Sequence, residues 1–235
     1  MNGVDPPKSV LEQISTCWPS IRDPVQFVMR YARAIRKYVA AIVRDSHDAD
    51  EVAQDFLVRV FEKGFCPENV SRGRFRDYLR SAVRFVAISH LRKKRPGELN
   101  EQALSQLTQP EVESEAERTF TSEWRACLLD RVWQSVEQLE RQTDGNLDYT
   151  VLKLHVADPT AHSDRQAAEL SRLVGREIRA DAFRKQLSRA RKRFAQQIVN
   201  EVRKTLQQPT AESMEDELID LDLMEYVREF LKRPE

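Results

Sequence analysis

Two adjacent segments combine helical spacing of apolar residues with opposite charge, and this pairing restricts the chain to a helical fold. In DADEVAQDFLVRVFEK, apolar residues recur every three or four positions between Val52 and Val60, so they share one face of a helix. Asp48 and Glu51 predict a capping box at its start. The opposite face carries an acidic and polar set: Asp50, Glu51, Gln54 and Asp55.

The following segment, FRDYLRSAVRFVAISHLRKKR, has the same helical periodicity but is cationic. From Ser71 to Arg95 there are nine lysines and arginines against one acidic residue. Arg76, Arg80 and Arg84 follow one another at i,i+4 spacing and share a face. A cationic surface of this density is typical of polyanion binding. Tyr78 and Phe85 suit stacking on unpaired bases, although both residues would also fit a protein core.

Composition indicates an all-α fold, because the 235 residues include only 6 glycines and show no sustained apolar alternation. We predict two small helical domains joined by an acidic linker. The predicted divisions are an N-terminal lead (1–22), a first domain (23–95), the linker (96–121), a second domain (122–206) and an acidic C-terminal extension (207–235). The linker is either a plain tether or a mimic of nucleic acid. The extension, with a final helix near its end, either packs on the body or masks a basic surface.

A second basic stretch lies near the C-terminal end of the predicted second domain. Ser163 predicts the start of a short helix that Gly175 ends, and apolar residues then recur from Phe183 to Ile198. A short helix, a turn and a longer basic helix form the helix-turn-helix pattern, whose second helix enters the major groove. A solvated basic helix of a bundle is the alternative. The face opposite the apolar stripe would carry Lys185, Ser188, Arg189 and Lys192, with Arg184 on its flank.

The chain lacks the sequence marks of a catalytic, metal or membrane protein. Cys17, Cys66 and Cys127 have no metal-ligand spacing, and the four histidines are scattered without a nearby nucleophile at motif spacing. No apolar run approaches the roughly 20 residues of a membrane span. We therefore expect no enzyme activity, no cofactor, no metal and no membrane partner, and a cytoplasmic location.

Together these motifs resemble the extracytoplasmic-function (ECF) class of bacterial RNA polymerase sigma factors. DADEVAQDFLVRVFEK resembles the region 2 helix that docks on the β′ clamp helices, which implies polymerase contacts at Asp50, Glu51, Gln54 and Asp55. The basic segment resembles the part that melts and reads the minus-ten element. The resemblance there implies DNA contacts at Arg76, Tyr78, Arg80, Arg84, Arg92, Lys93, Lys94 and Arg95.

The segments SDRQAAELSRLVG and AFRKQLSRARKRFAQQI resemble the region 4 helix-turn-helix that reads the minus-thirty-five element. The resemblance implies core RNA polymerase, through its β′ clamp helices and β flap, and promoter DNA as partners. It also makes an anti-sigma factor a candidate partner. Three other functions stay open: a helix-turn-helix regulator that does not bind polymerase, an RNA-binding adaptor and an enzyme such as a hydrolase.

Overall fold

The computed structural model describes residues 23–43, 45–63, 74–94, 109–206 and 208–231. Helices make up 84% of this part of the chain, which confirms the all-α prediction. The predicted N-terminal lead, Arg95 and the first thirteen residues of the predicted linker lie outside it. The helices are α1 (Pro24–Ile42), α2 (Ser46–Lys63), α3 (Phe75–Lys94), α4 (Pro110–Gln142), α5 (Asp148–Ala157), α6 (Ser163–Val174), α7 (Ala180–Arg203), α8 (Ala211–Asp220) and α9 (Met224–Leu231).

The chain divides into two structural units, and the division differs from the predicted domains. Unit 1 contains the chain up to Cys127 together with Arg203–Leu221, and unit 2 contains Leu128–Val202 with Asp222–Glu235. The C-terminal extension is therefore split, because α8 belongs to unit 1 and α9 to unit 2. It forms two helices rather than the single final helix that the sequence predicts.

In unit 1, α1 begins where the sequence predicts. The Asp23 carboxylate accepts hydrogen bonds from the backbone N–H groups of Val25 and Gln26, and Pro24 takes the first helical position. The start of α2 differs from the prediction. Asp45 is its cap, since its side chain accepts a hydrogen bond from the Asp48 N–H. Asp48 lies inside the first turn and is buried, so it is not the capping residue.

Aromatic packing joins α1, α3 and α4 in the core of unit 1. The rings of Tyr31 and Trp124 stack with centroids 4.7 Å apart and an interplanar angle of 7°. Phe75 lies 5.4 Å from Tyr31 and 5.8 Å from Trp124. Each large aromatic side chain that is removed from water contributes about 2 kcal/mol. This cluster fixes the face that α3 turns toward the core.

The sequence assigns residues 96–121 to a linker between the domains, but residues 110–121 form the first turns of α4. Pro110 suits the start of a helix, and Glu111 and Glu113 in the first turn interact favourably with the helix dipole. Ala116 and Phe120 are fully buried. These two apolar residues are surrounded by glutamates in the sequence, so the helical periodicity of this segment is weak.

Unit 2 packs the C-terminal half of α4 with α5, α6 and α7. Its core contains Val136, Val151, Leu152, Ala167, Leu170, Phe183, Leu187 and Ala190. The apolar stripe predicted for α7 is confirmed, whereas Leu173 near the end of α6 is 54% exposed. Gly175 ends α6 in the left-handed conformation, with φ of 68°.

Candidate functional site

The four residues of the predicted acidic face lie on one side of α2 and are accessible. Asp50 and Gln54 are exposed. The Glu51 and Asp55 side chains are each 42% exposed, and Asp55 forms an ion pair with Arg59 one turn later. The face is thus available to a partner, and contact with polymerase stays a prediction.

One member of this face is bound to a residue predicted to contact DNA. The Lys94 ammonium lies 2.8 Å from Glu51 Oε2 and 2.7 Å from Asp48 Oδ1. Its hydrogen bond lowers the pKa of the Glu51 carboxyl, and the bonds to Asp48 and Glu51 raise the pKa of Lys94. Lys94 therefore links the end of α3 to α2. These two ion pairs argue against the predicted contact between Lys94 and DNA.

Among the residues that the structure describes, one group has the donor atoms of a metal site. Ligand atoms of Asp48, Glu51 and His90 lie within 4.8 Å of one another. The Lys94 ammonium already forms ion pairs with both carboxylates. A cation would have to displace it, so this group is better explained as a structural ion cluster.

The arginine face of α3 is covered by acidic side chains rather than open. Arg76 has a side chain that is only 6% exposed, and it pairs with Glu217 at 3.1 Å and Asp220 at 3.2 Å, both on α8. The sequence placed Arg76 on the minus-ten surface, but burial keeps it from contacting DNA in this arrangement. The two carboxylates oppose the cost of removing the Arg76 guanidinium from water.

Arg76, Arg80 and Arg84 also meet α4 in a regular series, which we call the arginine ladder. Arg76 Nη1 donates a hydrogen bond to Thr121 Oγ1 over 3.0 Å, Arg80 pairs with Glu117 at 2.9 Å, and Arg84 pairs with Glu113. The arginine number rises by four at each step while the α4 number falls by four. Two helices that run antiparallel with i,i+4 neighbours produce this pattern.

The end of α3 and the groove beside it remain accessible. Arg92 and Lys93 are exposed, whereas Arg95 lies outside the described residues. Tyr78 is half-buried and Phe85 is 70% exposed. Both line a groove between α2 and α3, together with Arg59 and Lys63. This combination of aromatic faces and cations suits an unstacked base and its phosphate.

In unit 2, the five residues predicted to read the minus-thirty-five element are all exposed on α7. They are Arg184, Lys185, Ser188, Arg189 and Lys192. The buried Asp148 orients this helix, because it accepts a hydrogen bond from Gln186 over 2.8 Å and pairs with Arg193. The turn before α7 is held by Ser171, whose hydroxyl accepts a hydrogen bond from the Ile178 N–H over 2.8 Å.

Capping of α6 also differs from the prediction. The cap position is His162, whose side chain makes no capping hydrogen bond, and Ser163 is the first helical residue. Gln166 does not close a capping box. Its amide donates to the backbone carbonyl of Asp158 over 2.7 Å and so fastens the helix to the preceding loop.

Sequence reasoning missed the carboxylates that pair with the arginine face: Glu113, Glu117, Glu217 and Asp220. A signal for the first two was present, because Glu113 and Glu117 are four residues apart, as are Arg80 and Arg84. The residues of α8 gave no comparable signal, since their partners are more than 140 positions away.

Comparison with known families identifies the first domain. Residues 27–96 match the family model of sigma-70 region 2. This segment of the chain is therefore similar to sigma-70 region 2. No curated protein and no solved structure matches the chain significantly. This region 2-like domain contains the acidic face of α2 and the whole of α3.

Within the part of the chain that the structure describes, no helix combines the length and the apolar character needed to span a bilayer.

Proposed function

We propose that the chain is an ECF sigma factor that binds core RNA polymerase, directs it to specific promoters and helps to open the DNA. The observation that carries this proposal is the sigma-70 region 2 match over residues 27–96. A sigma factor acts on polymerase in the cytoplasm, so we also propose that location.

The acidic face of α2 is the proposed docking surface for the β′ clamp helices. Asp50 and Gln54 are exposed on α2, and the apolar face of this helix is buried in the core of unit 1. A negative patch on a rigid helix favours association with a positively charged partner surface and fixes its register. Glu51 and Asp55 contribute from the edges of the patch, where each already has an intramolecular partner.

The groove between α2 and α3 is the proposed contact for the opened minus-ten strand. Phe85 and Tyr78 offer stacking surfaces, and Arg59 and Lys63 at the same groove offer phosphate contacts. Arg92 and Lys93 extend the cationic surface toward the end of α3. Arg76 is assigned a structural role and is left out of the proposed DNA surface.

In unit 2, α6 and α7 are proposed to act as the region 4 helix-turn-helix. The exposed side chains of Lys185, Ser188 and Arg189 suit base edges or phosphates in the major groove, and Arg184 and Lys192 suit phosphates. The β flap of polymerase is the proposed protein partner of this unit.

Co-elution with core polymerase tests the proposal. The wild-type chain should form a complex, and Asp50→Lys with Asp55→Lys should weaken it about tenfold or more, since two attractive contacts become repulsive. A matched control reverses Glu62 on the same helix and Glu111 on α4, both exposed, and should bind normally. Equal loss in both variants, or no complex with the wild type, would contradict the docking surface.

The same preparation separates the proposal from a regulator that acts without polymerase. Such a regulator would bind duplex DNA through α7 and show no complex with core enzyme. Transcription from a genomic library with core enzyme present or absent decides between the two, because only a sigma factor creates new start sites in a polymerase-dependent way.

A further inference from the structure

We propose that the first turns of α4 mimic a nucleic-acid backbone. Their carboxylates pair with Arg80 and Arg84 of the region 2-like domain until a polyanion displaces these carboxylates. The proposed function enters only in the choice of single-stranded DNA as the competing polyanion. The contacts themselves all lie within unit 1.

The spacing of the ladder is the first argument. Glu113 and Glu117 present carboxylates at the two successive turns where α3 presents Arg84 and Arg80. The Arg80 and Arg84 side chains are 28% and 23% exposed, so the glutamates take the place of an external anion. Phosphates of a strand that crossed these turns would require the same guanidinium groups.

The strength of the contacts is the second argument. Glu113 and Glu117 are each 41% exposed, and ion pairs open to solvent to this degree are weak and screened by salt. They can therefore exchange with phosphates at low cost. The Arg76–Glu217 pair is different, because Glu217 has no exposed surface. The ladder thus has a fixed end at Arg76 and an exchangeable end at Arg84.

Room for a competing strand is the third argument. A polar cleft of roughly 540 Å³ runs beside the ladder. Its lining includes the basic side chains of Arg74, Arg80, Arg118 and Arg125, the carboxylates of Asp77, Glu117 and Asp220, and the hydroxyl groups of Ser114 and Thr121. A polyanion can approach the Arg80 guanidinium through this cleft while α4 keeps its buried contacts at Ala116 and Phe120.

A double variant of the full-length chain tests the inference. Glu113→Gln with Glu117→Gln removes the two competing charges and should increase the affinity for a fluorescein-labelled, single-stranded 20-mer of mixed sequence about fivefold. Two additional phosphate contacts should also steepen the dependence of log affinity on log salt by about 1.4. Thermal unfolding of both proteins checks that the variant stays folded.

The chain offers a closely matched control. Glu111 and Glu115 have the same spacing on the same helix, and both are exposed. Glu111→Gln with Glu115→Gln should leave affinity and salt dependence close to those of the wild type. An equal gain in this control would show a general charge effect and overturn the inference, as would the absence of any gain in the Glu113/Glu117 variant.

A third variant identifies the cations that are released. Adding Arg80→Gln and Arg84→Gln to the Glu113/Glu117 variant should abolish its gain, and persistence of the gain would overturn the inference. These DNA-binding measurements are made without polymerase, so their result is independent of the co-elution test. A gain in DNA affinity with no polymerase complex would support the inference and reject the sigma-factor proposal. A polymerase complex with no gain in DNA affinity would support the sigma-factor proposal and overturn the inference.

Discussion

Arg76 of α3 and Glu217 of α8 form an ion pair 3.1 Å long between side chains that are 6% and 0% exposed. Its partners are 141 residues apart in the sequence, and both belong to unit 1. The pair is reinforced by Arg74, which bonds to Asp220, and by the Phe75 N–H, which donates to the Thr205 carbonyl over 3.2 Å. The segment that ends in α8 therefore packs on α3 as part of unit 1.

Removing one partner of this pair should destabilise unit 1 strongly. Glu217→Ala removes the buried carboxylate that pairs with Arg76 and leaves the partly exposed Asp220 beside this buried guanidinium. Breaking a buried ion pair on one side costs about 3 kcal/mol. Urea unfolding followed by tryptophan fluorescence measures the change. Asp216→Asn, at the exposed neighbouring position, is the control and should change the free energy of unfolding by less than about 0.5 kcal/mol.

Glu217 should also make stability depend on pH. Burial raises the pKa of this carboxyl, and the attraction of Arg76 only partly opposes the effect. Because the folded state then holds the proton more tightly than the unfolded state, the stabilisation is present below about pH 4.5, the unfolded value, and is lost as the pH rises through the folded pKa.

Urea unfolding at several pH values tests this sign. The free energy of unfolding of the wild type minus that of Glu217→Gln should fall as the pH rises from about 4.5, since glutamine does not titrate. A difference that instead rises with pH would mean that Arg76 dominates the carboxyl and lowers its pKa.

The DNA-reading role that we propose for α7 predicts a loss of DNA binding without a loss of stability. Lys185→Ala with Arg189→Ala should weaken holoenzyme binding to promoter DNA by about 1–3 kcal/mol if either residue contacts a base. Both side chains are exposed, so thermal unfolding should not change. Arg141→Ala removes an exposed charge from unit 2 outside α7 and should leave promoter binding intact.

Local patterns predicted the helices well where a helix carries its own start, stripe and end. The cap at Asp23 and the stripe from Phe183 to Ile198 are examples, because the information lies within one turn or along one face. The acidic stretch at the start of α4 was misread, since the helix there is stabilised by Phe120 packing on Tyr38 of α1, 5.2 Å away. Ala116 and Phe120 alone form too narrow an apolar stripe to indicate a helix without this contact between distant segments.

The candidate site shows the same limit. Exposure of Lys185 and Arg189 follows from the position of the apolar stripe on their own helix, so the sequence was sufficient. Arg76 has the same spacing as Arg80 and Arg84, and only the fold reveals that α8 buries it. A face shared by three arginines in the sequence thus contains one anchor and two exchangeable cations.

Phe85 should matter for binding a single strand but not for folding. Its ring is 70% exposed beside Tyr78 in the groove between α2 and α3, and loss of one stacking platform costs about 1–3 kcal/mol per base. Phe85→Ala should therefore weaken binding of a labelled minus-ten single strand to the holoenzyme and slow promoter opening, with no fall in melting temperature. Phe61→Ala removes a ring that is 59% exposed on α2 and does not line the groove. Because the two changes remove similar exposed area, an equal effect of both would point to general surface hydrophobicity rather than stacking at Phe85.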